Sequence, residues 1–263
     1  GDRFLSVEAS AACAHIWDAL TGRHLHTLSM SEDGDLGFMA DAKVFPDGGR
    51  VVALGIYIAI WNATSGRMMQ HFGAPFGHDY LDVQVFPDGA RIAVGGSNNV
   101  GEPVVILDVF SGRVLKVWRH RDVAIQFLQV APCGTKVVSG SGTHLFIWSA
   151  IADTPVQSIL PGSPWMSSLA ISRDGTRVVG GTATQIRIWN GSTGTLSLAI
   201  HQSSRKGSPR FELLGDGERA VVISPHEANI WSMASGRRLL RLADIAAFPA
   251  ARVHAIKASP CGR

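Results

Sequence analysis

A tight-turn signal returns at near-constant intervals along this chain, and it limits what the chain can fold into. It reads Pro46-Asp47-Gly48, Pro87-Asp88-Gly89, Pro132-Cys133-Gly134, Arg173-Asp174-Gly175, Gly215-Asp216-Gly217 and Pro260-Cys261-Gly262. Successive glycines stand 41, 45, 41, 42 and 45 residues apart. That is the period of a four-stranded unit, well above the ~33–34 residues of common helical repeats. A second signal keeps phase with the first. Trp17, Trp61, Trp148, Trp189 and Trp231 each close a short β-rich run such as Phe146-Ile147-Trp148, and the remaining unit has Leu107 there. A Gly-Arg turn follows most of them, at Gly22-Arg23, Gly66-Arg67, Gly112-Arg113 and Gly236-Arg237.

Each unit therefore reads as four short strands joined by glycine-rich turns. In the fourth unit they are predicted near 124–131, Lys136–Ser139, Leu145–Trp148 and Val156–Leu160. A lone four-stranded sheet leaves both faces wet. Packing such sheets face to face around a ring buries the faces and leaves only short edges. The predicted fold class is all-β, a β-propeller of six four-stranded blades in one domain spanning residues 1–263.

The Pro-Asp-Gly turn, the strand end Ile16-Trp17-Asp18 and the Gly-Arg turn beyond it resemble the WD-repeat family, over nearly the whole chain. The resemblance implies a rigid platform that presents one rim to peptides or folded proteins. Departures accompany it. Asp follows the repeat position only at Asp18 and Asp108, with Asn62, Ser149, Asn190 or Ser232 elsewhere, and the family's Gly-His pair survives once, as Gly77-His78. The buried Asp–His–Ser–Trp network of that family is therefore expected to be incomplete in every unit.

Residues 1–6 align with Gly134–Ser139, so the chain begins at the glycine of a repeat turn and ends, at 259–263, in the equivalent one. Two readings stand. Either strand 253–259 completes the blade begun by residues 3–29 and closes six blades, or the chain is a fragment of a seven-bladed or longer array. The absent initiator methionine and the cut within a turn favour the fragment, and with it a place in a larger polypeptide or complex.

Composition narrows the partners. The net charge is +3, and the arginines look scattered, with short basic clusters only at Arg119-His120-Arg121, Arg205-Lys206 and Arg237-Arg238 with Arg241. No nucleic-acid partner is expected from so weak a stripe. No stretch approaches the ~18 apolar residues of a membrane span, so no membrane partner is expected either. Cys13, Cys133 and Cys261 are an odd, widely spaced set, a poor disulfide framework. An intracellular, cytoplasmic compartment is expected.

The residues offer little catalytic chemistry. Neither HExxH, paired CxxC nor GxSxG is present. His24 and His26 alternate along one outer strand and so are expected to share a face, but no acidic or cysteine partner stands at useful spacing. No metal, cofactor or catalytic residue is expected. The tryptophan column is assigned to packing between sheets. On the innermost strands Asp41, Asp82 and Glu212 are expected in polar columns facing a central shaft, the kind of group that gathers around calcium, but Lys43, Arg210 and Lys257 share those columns and oppose a cation.

The expected function is a non-catalytic scaffold mediating protein–protein interaction through loops on one rim. The loops joining successive units are long and varied, which suits recognition. Phe76, His78, Tyr80, Arg119, Arg121, Trp165, Arg205, Lys206 and Phe248 are the predicted partner-binding residues, since aromatic and arginine side chains dominate binding hot spots. The alternative is a six-bladed propeller hydrolase with a metal in the central shaft.

Overall fold

The computed structural model describes residues 3–8, 11–30, 38–77, 80–95, 103–119, 125–141, 144–152, 155–159, 166–182, 184–201, 210–214, 218–224 and 227–244. Among them there is no α-helix, and no helix long and apolar enough to cross a membrane. The fold is all-β, built as six antiparallel sheets. The first has three strands, β1 (Arg3–Glu8), β2 (Cys13–Asp18) and β3 (His24–Ser29). The second holds β4 (Met39–Val44), β5 (Arg50–Gly55), β6 (Tyr57–Asn62) and β7 (Met68–Gly73). The third holds β8 (Asp82–Val85), β9 (Arg91–Gly95), β10 (Pro103–Asp108) and β11 (Val114–Arg119). The fourth holds β12 (Phe127–Val130), β13 (Lys136–Gly140), β14 (Leu145–Ser149) and β15 (Pro155–Ile159). The fifth holds β16 (Met166–Ile171), β17 (Arg177–Thr182), β18 (Gln185–Asn190) and β19 (Leu196–His201). The sixth holds β20 (Arg210–Leu213), β21 (Arg219–Ser224), β22 (Glu227–Ser232) and β23 (Arg238–Asp244).

The chain divides into two compact units, 1–128 and 129–263. In the first unit, Ala14, Ile16 and Leu28 of the first sheet pack against Val51, Ala53 and Trp61 of the second. The opposite face of the second sheet, with Val52, Leu54, Ile58 and Ile60, packs on Val83, Ile92, Val94, Val105 and Leu107 of the third. The second sheet thus buries both faces between its two neighbours. In the second unit Val179, Ile186 and Ile188 of the fifth sheet pack on Phe211, Ala220 and Val222 of the sixth.

The turn that betrayed the repeat is built the same way each time. Gly48, Gly89, Gly134 and Gly175 have φ of +69°, +64°, +70° and +71°, a left-handed conformation that costs glycine least. The preceding Asp braces the turn. Asp47 Oδ1 accepts from the Gly49 amide at 2.8 Å and its Oδ2 from Arg50 Nε at 2.9 Å, and Asp88 binds Ala90 and Arg91 in the same way. At Cys133 the thiol meets the Thr135 hydroxyl instead, at 3.0 Å. The turns at Gly217 and Gly262, and Cys261, lie outside the described residues.

The position after the tryptophan has one task, which explains its variability. Asp18, Asn62, Asp108, Ser149 and Asn190 each accept from the backbone amides two and three residues on, at 2.7 to 3.2 Å. Ser232 accepts from Ser235, three residues on. Any short side chain with an oxygen does this. The Trp–Ser bond is made where a serine is available, Trp17 Nε1 donating to Ser6 Oγ and Trp148 Nε1 to Ser139 Oγ, both at 2.8 Å. Val222 occupies that position in the sixth sheet, and Trp231 Nε1 is buried with no partner among the described residues.

Two expectations are corrected. Not all of the arginines are scattered: Arg3, Arg50, Arg91, Arg177 and Arg219, with Lys136 in the fourth sheet, open equivalent strands in the six sheets. Several of them latch one sheet to the next. Arg50 Nη2 donates to the Gly89 carbonyl at 3.0 Å while its guanidinium lies 4.3 Å over the Phe45 ring. Lys136 Nζ reaches the carbonyls of Gly175 and Gly191 at 2.9 and 2.8 Å. Second, His24 and His26 do not share a face. Pairing between the third and fourth strands slips by one residue at the tryptophan position in every four-stranded sheet, and at the same place in the first: Ile16 faces His26 but Trp17 faces His24. This β-bulge turns Leu25 out of the ladder and breaks the alternation. His26 Nε2 lies 2.8 Å from the Thr64 carbonyl of the second sheet, whereas His24 turns to His15 and Trp17 on the other face.

Candidate functional site

The antiparallel order gives each four-stranded sheet two unlike ends. One carries the glycine turn and the turn after the tryptophan, tied together by hydrogen bonds such as Ala63 N to Gly49 O at 2.8 Å and Val109 N to Ala90 O at 2.8 Å. The other carries the turn between the middle strands and the connection to the next sheet.

In the first unit a connection of that second kind runs from β7 to β8, described at 74–77 and 80–81. A single 3-10 turn runs over Pro75–Gly77, and Phe76 within it has φ +61°. A bulky residue held in the left-handed region is strained, at a cost of order 1–3 kcal/mol, and persists only where its surroundings insist. Tyr80 supplies the insistence. It is 1% exposed, and its hydroxyl donates to the Pro75 carbonyl at 3.1 Å. Phe76 is thereby pushed outward, 52% exposed, and the Arg119 guanidinium at the end of β11 lies 5.7 Å from its ring centroid. The structure brings these two predicted residues together on the surface. It places Tyr80 in the core, so Tyr80 props the loop rather than contacting a partner directly. His78, Arg121, Trp165, Arg205, Lys206 and Phe248 lie outside the described residues.

The turns at the opposite end hold exposed apolar residues that sequence reading overlooked. Leu20, Phe110 and Ile151 are 87%, 67% and 76% exposed, each two residues after the Asp or Ser that braces its turn. The signal was available: a large apolar side chain inside a tight turn has no core to enter. Trp118, which lies outside the tryptophan column, is buried in β11.

The first strands of the second and third sheets, β4 and β8, run side by side and bring Asp41 and Asp82 together. Lys43 Nζ donates to both oxygens of Asp41 at 2.7 and 2.6 Å, and Asp41 Oδ2 accepts from the Val83 amide at 3.2 Å. Gln84 Nε2 donates to Asp82 at 2.8 Å. Burial, and next the Asp41 carboxylate, push the Asp82 pKa up to about 7, against the opposing pull of Lys43 and Gln84. A lysine ammonium thus already occupies the cationic place beside Asp41, and its partner carboxyl holds a proton through mildly acidic pH. That chemistry does not suit a calcium site. Glu212 belongs to the other unit.

No protein-family model matches the chain, and no curated protein matches it in sequence. The site is therefore read from its own geometry: an aromatic ring and a guanidinium, both exposed, held by a strained and propped loop on a sheet framework.

Proposed function

We propose that the chain is a WD-repeat-like β-propeller acting as a non-catalytic scaffold, which binds protein or peptide partners at the end of the sheets where β7 connects to β8. One observation carries the reading. Phe76 is held outward at positive φ, with Arg119 over its ring and Tyr80 pinned beneath. Strain at an exposed aromatic has no use in packing, and strained backbone gathers at binding clamps. Aromatic and arginine side chains are also the ones that dominate interface energetics. The six repeated sheets, their shared turn chemistry and the lysine and arginine latches between neighbours support the propeller part.

The experiment is a binding comparison. A partner captured by cross-linking and identified by mass spectrometry is titrated against the native chain and a Phe76→Ala/Arg119→Ala double variant. We expect affinity to fall at least tenfold, since hot-spot truncations cost about 2 kcal/mol or more. The melting temperature should change little, because both side chains are exposed and their cation–π contact is worth only about 0.5–1 kcal/mol. Undiminished binding of every captured partner would remove this surface from the proposal. The hydrolase alternative needs a cation in the shaft, and calcium titration by calorimetry separates it: uptake that Asp82→Asn abolishes would favour it over the scaffold.

A further inference from the structure

On the first sheet, away from the Phe76 loop, three side chains that bind metals converge on one point. Glu8 ends β1, and Cys13 and His15 lie two apart on β2, so that Glu8 faces Cys13 and Ser6 faces His15 across the ladder. Alternation puts all of them on the face that carries Trp17, opposite to the one packed on the second sheet. Cys13 Sγ lies 3.4 Å from His15 Nε2, Glu8 Oε2 lies 3.5 Å from the same nitrogen, and Sγ and Oε2 are 4.0 Å apart. These three atoms are mutually within 4.8 Å. Bonds of about 2.0–2.3 Å to a tetrahedral ion place neighbouring ligand atoms roughly 3.3–3.8 Å apart, so the triangle needs to close by a few tenths of an ångström at most.

We propose that Glu8, Cys13 and His15 form a site for a zinc-class divalent cation, with a fourth position open to water or an exogenous ligand. Thiolate, imidazole and carboxylate together suit a borderline-soft ion better than calcium or magnesium. The arrangement does not suit a Cys–His nucleophile, which is the other chemistry these residues bring to mind. In such a relay the thiol takes one ring nitrogen and the carboxylate orients the ring through the other. Here both converge on Nε2, as they would around a shared ion. The far nitrogen is also arranged for a ligand. His15 Nδ1 lies 3.1 Å from the Thr27 hydroxyl and 3.4 Å from His24 Nε2 on β3, and Thr27 Oγ1 lies 3.1 Å from His24 Nε2. With Nε2 given to the ion, Nδ1 carries the proton and donates to this pair, which fixes the ring as outer partners of metal-bound histidines do. The bulge that separates His24 from His26 is what delivers His24 to this face. The site is independent of the scaffold reading.

The test uses the full chain with Cys133→Ser and Cys261→Ser, which leaves Cys13 as its one thiol. After chelator treatment it is titrated with zinc by calorimetry and with cobalt(II) by absorption spectroscopy. We expect one equivalent of zinc and a thiolate-to-cobalt charge-transfer band. Cys13→Ser should abolish the band, Glu8→Gln and His15→Gln should each weaken zinc at least tenfold, and Thr27→Val should weaken it roughly tenfold, as outer-partner losses do. Circular dichroism of the metal-free variants separates lost ligands from lost folding, and Glu8→Gln, at an exposed position, keeps the test open if a β2 variant misfolds. No charge-transfer band in the single-thiol chain, or zinc uptake indifferent to both Glu8→Gln and His15→Gln, overturns the proposal.

Discussion

At the residue scale, the tryptophan column separates packing from hydrogen bonding. Trp148 is buried and its Nε1 donates to Ser139 Oγ at 2.8 Å. Trp148→Ala should cost about 3–5 kcal/mol, as large-to-small core changes do. Ser139→Ala leaves the ring in place but strands its N–H, and should cost about 1–3 kcal/mol. Urea melts of both variants check the order, and a Ser139→Ala chain as stable as the native one would mean that water or another group accepts from the indole. Sequence reading placed the column correctly and assigned it to packing. It anticipated an incomplete network in every repeat, and two of the described tryptophans keep the Trp–Ser part of it. It also set Asn62, Ser149 and Asn190 down as departures, although they brace the turn as Asp18 does. A pattern of identities hides this equivalence, since what the backbone amides need is an acceptor oxygen at the right reach.

At the element scale, a glycine inside a strand records where side chains of its own sheet crowd the backbone. A Cβ added at Gly180 of β17 would stand 2.5 Å from Met166 Sδ and 2.8 Å from the Trp189 ring. Gly180 falls where Ser139 and Ser6 stand in their sheets, so the fifth sheet gives up a hydrogen bond to make room for its indole. Gly180→Ala should therefore destabilise by about 1–3 kcal/mol, the usual penalty of overpacking. Scanning calorimetry would show it as a lower melting temperature, and an unchanged one would mean that the Met166 side chain swings clear. Strand positions were well legible from sequence: in the fourth unit Lys136–Ser139 and Leu145–Trp148 became β13 over Lys136–Gly140 and β14 over Leu145–Ser149. The β-bulge beside each tryptophan was not legible. It adds a residue to one strand of a pair, and one strand read alone shows no partner against which to count. That omission is why His24 and His26 looked like neighbours on one face.

At the scale of the whole molecule, the carboxylates divide into two sets with opposite pH signatures. In the turns, the Ser172 hydroxyl first and then the Thr176 amide hold Asp174 down to about 2. Asp47 and Asp88 are also lowered, because amide and arginine hydrogen bonds outweigh the desolvation that would raise them. Such groups bind fewer protons folded than unfolded. Their stabilisation is complete above the unfolded value near 4 and is lost as pH falls toward 2. Asp82 behaves inversely. Its folded pKa of about 7 exceeds the unfolded value, so the folded chain holds the extra proton and stability declines as pH rises from about 4 to about 7. Stability against urea should therefore peak near pH 4–5. Asp82→Asn should flatten the neutral side of that curve, gaining of order 1–2 kcal/mol at pH 7 once solvent screening is allowed for. A native chain with the same urea midpoint at pH 5 and pH 7 would contradict the assignment.

The sequence by itself determined the number and period of the units, the glycine turns and the buried tryptophans. These are local demands, met by φ, by alternation and by side-chain size within some forty residues of chain. Tertiary structure alone decided which distant groups meet. It put Tyr80 under Phe76, carried Arg50 to the turn of the next sheet and brought Glu8 and Cys13 to the Nε2 of His15. Each of these meetings depends on strand pairing, a one-residue slip or the contact of neighbouring sheets, and none of the three leaves a mark on the residues read in order.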